Sequence, residues 1–257
     1  MNPINPEFFF TSEHFNELLV NKLDMAYTQM VPMFLGYGLL AMPGWQTVYH
    51  DYFMGTDLSL VQPPLSTAYW QEVSRSMESY SFHMGNLVSI NNWDTANYYL
   101  IGTQTNPAAT SEQLAYLNFI KVLVDSYPHT SEYQKFGERL RPPLQSVEYA
   151  VERGTFSLAN PVTIQASVWK ANDGGIGIIL TNSGLVQGQT TIQMNYPDYE
   201  LLGEYNLYEN IDGNRNLILS NINGNFNFNV NMQPESIKLF ELVSVIQTPS
   251  GLSATLI

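Results

Sequence analysis

Asn225-Phe226-Asn227-Phe228-Asn229-Val230-Asn231-Met232 alternates polar and apolar residues without a break. Side chains of a strand point to opposite faces in turn, so Phe226, Phe228, Val230 and Met232 share one face and the asparagines the other. A helix would scatter the same residues around its circumference, so the stretch predicts a half-buried strand. Working outward, further β-rich runs fall at 162–170, 175–182, 190–195, 201–209, 216–220 and 236–242. Turn signals separate them, among them Asn172-Asp173-Gly174-Gly175, Asp212-Gly213-Asn214 and Asn223-Gly224-Asn225. Short strands at this spacing predict an antiparallel β-sandwich. Trp169 falls on one of them, where burial is expected.

The rhythm differs before Pro142-Pro143. Thr11-Ser12-Glu13-His14 reads as a helix start, with Phe15, Leu18, Leu19, Leu23 and Tyr27 continuing it at three- and four-residue spacing. The β-branched and aromatic stretch 45–53 predicts a strand, 66–80 a helix with Tyr69, Val73, Met77 and Tyr80 on one face, and 83–90 a second strand. Ser111-Glu112-Gln113 opens a helix in which Leu114, Leu117, Ile120, Val124 and Tyr127 keep helical spacing, and Pro128 is expected to stop it. Helix and strand in alternation is the pattern of a parallel sheet with crossover helices. So few strand units neither close a barrel nor cover their own faces. The expected fold is therefore α/β plus all-β: a first domain over 1–143, a β-sandwich over 144–246 and a tail over 247–257. The first domain is expected to expose apolar surface unless a partner chain such as a second copy, an upstream polypeptide or a rearranged packing covers it.

Composition narrows the function. The 257 residues carry 23 acidic and 10 basic side chains, a formal net charge of −13. That field repels a phosphate backbone and argues against nucleic acid and against anionic membranes. Charged residues are only 13% of the chain, about half the usual ~25%. Surface polarity must come from amides and hydroxyls, which suit neutral, hydroxyl-rich ligands. Cysteine is absent, which excludes disulfides, thiol catalysis and thiolate metal sites. No phosphate loop, dinucleotide fingerprint, zinc-protease motif, calcium loop or nucleophile elbow occurs, and His14, His50, His83 and His129 are scattered, so neither metal nor cofactor is expected. The uncharged stretch 25–50 is interrupted by Pro32, Gly36, Gly38, Pro43 and Gly44, which reads as buried core and not as a membrane span. The N-terminus shows no basic segment followed by an apolar one, so no signal peptide is recognised and the compartment stays open.

Two constellations carry potential chemistry. His50, Asp51 and Tyr52 end the strand expected over 45–53, and residues past the carboxyl ends of parallel strands line the active face of α/β folds. Asp51 is suited to hold sugar hydroxyls or move a proton, and His50 to donate to a ligand oxygen. A loop cap and a packed polar contact would account for the same residues. Asn92, Trp93 and Asp94, after the strand expected over 83–90, set an indole beside an amide and a carboxylate. That combination fits a sugar ring, whose C–H face stacks on an aromatic while its hydroxyls seek planar polar groups; a plain turn explains it equally. Asp51 and Asp94 would form a hydrolytic pair only at the separations glycoside hydrolysis requires. The Asn-rich loop 221–225 is an alternative binding surface, and a purely structural role for the β-rich half is a third reading.

The order of segments also resembles a known arrangement. Thr47-Val48-Tyr49-His50-Asp51-Tyr52, a helix, then Met84-Gly85-Asn86-Leu87-Val88-Ser89 resemble the final βα units of an uncharacterised glycoside-hydrolase-like barrel family. Lys135-Phe136-Gly137-Glu138-Arg139-Leu140-Arg141-Pro142-Pro143 and Ser167-Val168-Trp169-Lys170 match it further along. The resemblance spans about residues 14–243 and implies the late units of a (β/α)8 barrel followed by a β-sandwich. It implies that the first five or six units lie upstream of Met1, together with the catalytic strands, so no catalytic residue is assigned. His50 and Asp51 would then contact substrate, Trp93 would sit on the rim, and the partner would be an oligosaccharide or glycan. The full-length relatives implied would work outside the cell or in the periplasm.

Overall fold

The computed structural model describes residues 11–12, 25–27, 54–56, 68–86, 111–145 and 163–245. Three short strands, β1 (Thr11–Ser12), β2 (Met25–Tyr27) and β3 (Met54–Thr56), form a parallel sheet in that order. Two helices follow, α1 (Ala68–His83) and α2 (Ser111–Gln134), and then nine strands: β4 (Glu138–Leu140), β5 (Leu144–Gln145), β6 (Ile164–Lys170), β7 (Ile176–Asn182), β8 (Gly188–Met194), β9 (Tyr205–Ile211), β10 (Asn214–Ile222), β11 (Phe226–Met232) and β12 (Ser236–Ser244). A 3-10 turn, Tyr196–Tyr199, links β8 to β9.

These strands make two antiparallel sheets, one of six strands in the order β10-β9-β12-β7-β6-β4 and one of three in the order β11-β8-β5. The chain is thus β-rich and mostly antiparallel. Strict alternation decides how the layers stack. On β6 and β7, Ile164, Ala166, Val168, Ile176, Ile178 and Leu180 face the small sheet and pack on Ile192, Met194, Phe228, Val230 and Met232. The residues in between, Trp169, Ile179 and Leu239 among them, pack under the helices with Phe82, Phe119, Leu123 and Tyr133. Both faces of the large sheet are therefore covered: by an apolar core on one side and by α1 and α2 on the other. Trp169 is buried, as expected, but on the helix side.

Several expectations change. The helix read from Thr11 to Tyr27 is strand at both ends: β2 is hydrogen-bonded between β1 and β3, so its backbone groups find partners across the sheet and not along a helix. The helix read over 66–80 runs on to His83, and the strand expected from His83 begins instead as a helix end and turn, with Gly85 at φ 79°. Pro128 does not stop α2, which continues to Gln134. The missing proline N–H is outweighed by what the last turn anchors: Tyr133 and Gln134 are both buried and bonded to the sheet and to α1. Gly137 ends the excursion, since a Cβ there would lie 2.4 Å from the Tyr133 carbonyl oxygen and 2.6 Å from that of Lys170. The strand expected over 45–53 lies outside the described residues.

Candidate functional site

The seam between α1 and the large sheet is polar and buried. His83 Nδ1 lies 2.8 Å from Ser167 Oγ, and His83 Nε2 lies 2.8 Å from Thr181 Oγ1. Trp169 Nε1 donates to Ser167 Oγ at 2.9 Å, and Thr181 Oγ1 lies 2.5 Å from Ser79 Oγ. One directed chain satisfies all of them: indole to Ser167, Ser167 to imidazole, imidazole to Thr181, Thr181 to Ser79. It requires a neutral imidazole, and burial first, with the Arg139 charge second, pushes His83 from 6.5 down to about 3. Gln165 Nε2 donates to the Ser76 carbonyl at 2.9 Å and Arg75 Nε to the Ser183 carbonyl at 2.8 Å. The last carbonyls of α1 are taken by Gln134 Nε2 on Phe82 (2.6 Å) and Arg139 Nε on His83 (3.1 Å). Buried and densely hydrogen-bonded, although Gln134 Oε1 lacks a hydrogen-bond partner, the seam fastens α1 to the large sheet.

A cleft of about 480 Å³ opens further along, between α2 and the β9–β12 end of the large sheet. Asp125, Ser126 and His129 line it from the helix; Glu209, Asn210, Asp212, Gln233, Ser236 and Lys238 line it from the sheet and its turns. Val122, Ile211, Ile237 and Leu239 give it an apolar lining. Helical spacing puts Val122, Asp125, Ser126 and His129 on one side of α2. On β12, alternation turns Ile237 and Leu239 toward the helices while Ser236 and Lys238 fall on the other face with Phe240. The charges are arranged as separate pairs: Lys238 Nζ with Glu209 Oε1 at 2.6 Å, Lys121 with Asp125, and His129 Nε2 at 3.9 Å from Asp212 Oδ1. Asp212 holds φ 50° in the tight β9–β10 turn, whose Gly213 N–H donates to Asn210 Oδ1. The cleft therefore combines hydroxyl, amide and paired charged groups with apolar side chains, the mixture that holds a polar organic molecule of modest size.

A second group of charges sits beside it. Glu241 is buried and accepts from Tyr133 Oη at 3.0 Å and from Arg215 Nε at 2.5 Å. Burial alone would raise its carboxyl, but the bonds from Arg215, Asn210 and Tyr133 outweigh it and hold the group below its ordinary value. Nearby Glu132 is shifted the other way, by burial and by the Glu241 and Asp173 charges. Opposite shifts on two carboxylates mark acid/base pairs in enzymes. Here both Glu241 oxygens are engaged by protein, so the arrangement is an ion-pair anchor for β12.

His50, Asp51, Tyr52, Asn92, Trp93 and Asp94 lie outside the described residues. The strand that is described nearby, β3, begins at Met54, after His50–Tyr52 in the chain. The cleft residues carried no sequence signal of their own: Asp125 and His129 belong to no motif, and Glu209 and Lys238 meet only through strand pairing. Among the described residues, no three His, Asp or Glu side chains converge as metal ligands, and no helix is long and apolar enough to cross a membrane.

Neither a protein-family profile nor a curated protein matches the chain. Solved structures do. A noncanonic maltogenic α-amylase from Thermotoga neapolitana superposes with a TM-score of 0.50 at 11% identity, over 93% of this chain and 55% of the other. The fold is glycoside-hydrolase-like. A β-L-arabinopyranosidase from Geobacillus stearothermophilus superposes with a TM-score of 0.41 at 9% identity, over 90% of this chain and 47% of the other. The chain thus spans about half the length of these two structures.

Proposed function

We propose that the chain is a carbohydrate-binding part of a glycoside-hydrolase-like protein and takes a neutral glycan. The observation that carries this reading is the cleft between α2 and the large sheet, set in a glycoside-hydrolase-like fold. Its amides and hydroxyls both donate and accept, as sugar hydroxyls do, and its apolar side chains suit sugar C–H groups. Asp125 is engaged by Lys121 and Glu209 by Lys238, which favours holding a glycan over cleaving it. The parallel strands β1–β3 are read as late βα units of a barrel, and the antiparallel sheets that begin with β4 as the domain that follows it. His50, Asp51, Tyr52, Asn92, Trp93 and Asp94 are proposed as further sugar contacts on that barrel portion.

The test is calorimetric titration of the whole chain with maltohexaose, raffinose and an arabino-oligosaccharide. Binding of at least one is expected, weakened about tenfold by Asp125→Ala combined with Ser236→Ala. If none binds, or if the double variant binds as the parent does, the cleft is not the glycan site. A structural role is the second reading, and the buried seam favours it: a chain that bound no sugar, yet lost its fold when His83 or Arg75 was replaced, would be a scaffold.

A further inference from the structure

We infer that the outward face of the small sheet is a separate docking surface for a long neutral polysaccharide. The inference rests on the reading of the chain as a binder of neutral glycans, and adds a second place where it happens. The register of β11 on β8 pairs Asn227 with Gln193, Asn229 with Thr191 and Asn231 with Gln189. Their partners on the inward face, Phe228, Val230 and Met232, fill the core. What points outward is a grid of carboxamides around one hydroxyl, in rows about 4.8 Å apart across the strands and roughly 6.5–7 Å apart along them.

Three properties of this grid point to the same kind of ligand. First, it carries no ionisable group, although the chain as a whole bears 23 acidic and 10 basic side chains. A face that avoids charge so consistently is matched to an uncharged partner. Second, asparagine is among the poorer strand formers, yet β11 repeats it at every outward position, where threonine would hold a strand better. A sequence that departs from local preference in this regular way is serving something other than the fold. Third, the grid is partly set in place before any ligand arrives. Thr191 Oγ1 donates to Asn229 Oδ1 at 2.7 Å, which fixes that carboxamide with its N–H groups directed away from the threonine.

At the Asn227 end the grid runs into a hollow of about 330 Å³. Asn195 and Asn225 flank it, and Leu144, Met194 and the half-buried Phe226 line it with carbon. Asn225 Oδ1 is held by the Tyr196 N–H at 2.8 Å. Carboxamides beside an apolar hollow offer a sugar ring both of its surfaces: hydroxyls meet amides and C–H groups meet carbon. Because the grid is a repeat and the hollow lies at one end of it, the surface suits a chain of sugars lying along the strands better than a single residue.

The experiment is affinity electrophoresis of the whole chain in gels containing hydroxyethyl cellulose, soluble starch or galactomannan, with carboxymethyl cellulose as the anionic control. Retardation is expected in at least one neutral gel, unchanged by about 0.5 M salt, which cuts the Debye length to roughly half or less of its value at 0.1 M, and absent in the control. The triple variant Asn227→Thr, Asn229→Thr, Gln193→Thr keeps or improves strand preference, so it folds; it is expected to bind the polymer at least tenfold more weakly while oligosaccharide titration at the cleft is unchanged. The inference is overturned if the variant is retarded as the parent is, if only the anionic polymer retards the parent, or if no polymer does. In that last case, oligosaccharide binding at the cleft would leave the proposed function standing; conversely, retardation by a neutral polymer with no oligosaccharide binding would remove the cleft and leave the grid.

Discussion

The ring of Tyr133 presses on the bare backbone of Gly177: a Cβ at residue 177 would lie 2.6 Å from Cδ1 of the ring. This contact brings the last turn of α2 down onto the start of β7 and sets the tyrosine hydroxyl against Glu241. Glycine is required here by close approach, not by an unusual φ. Gly177→Ala is expected to lower stability by about 1–3 kcal/mol, the usual cost of overpacking, seen as a lower urea midpoint with an unchanged slope. An unchanged midpoint would show that helix and strand separate more easily than the contact suggests.

Acid should loosen the seam at His83. Its folded pKa of about 3 lies below the unfolded value of 6.5, so between those values the unfolded chain binds the extra proton. Stability is then fully present above pH 6.5 and falls as pH drops toward 3, by up to about 1.4 kcal/mol per pH unit. Denaturation midpoints at pH 7, 6 and 5 should decline in the parent. His83→Gln, uncharged throughout, should begin lower and show a flatter profile over that interval; a parallel decline in both would place the acid sensitivity elsewhere.

Glu241 depends on its cation. Removing Arg215, whose Nε lies 2.5 Å from Glu241 Oε2, leaves a buried carboxylate with weaker partners. Arg215→Met is expected to cost about 2–4 kcal/mol at pH 7. Because the carboxyl would no longer be held below its ordinary value, part of that loss should return on going from pH 7 to about pH 5. Arg215→Lys should cost less. A loss that did not shrink in acid would mean the arginine acts through packing.

The helices should come away as a layer. Phe119 is fully buried among Phe82, Leu123 and Trp169 under α2, and Phe119→Ala is expected to cost about 3–5 kcal/mol. Native-state hydrogen exchange should accelerate first in α1 and α2, with β7 and β12 amides slower. Uniform acceleration would mean that helices and sheets unfold as one.

The small sheet was the most legible part of the molecule: the Phe-Asn alternation that opens the sequence reading is β11, with the bounds Phe226–Met232. Alternation is a local property; the pairing of β11 with β8 is not, and it came only with the fold. What the sequence hid was decided at a distance. Pro128 is a stop signal to any local reading, yet Tyr133 and Gln134, past it, find bonds on the sheet and on α1 that keep the helix going. His83 begins an apolar-looking run, but its two nitrogens meet Ser167 and Thr181, more than eighty residues away along the chain. Lys238 and Glu209, part of the cleft wall, are brought within 2.6 Å by the pairing of β12 with β9. Alternation and composition could mark a sandwich with an amide-rich surface; they could not say which charges would share a wall.

The cleft has one wall on a helix and the other on a sheet, two layers joined through the apolar core beneath α2. Anything lodged between Asp125 and Ser236 would brace them like a keystone, so occupancy would be felt as stiffness through the whole helical layer and not only at the point of contact.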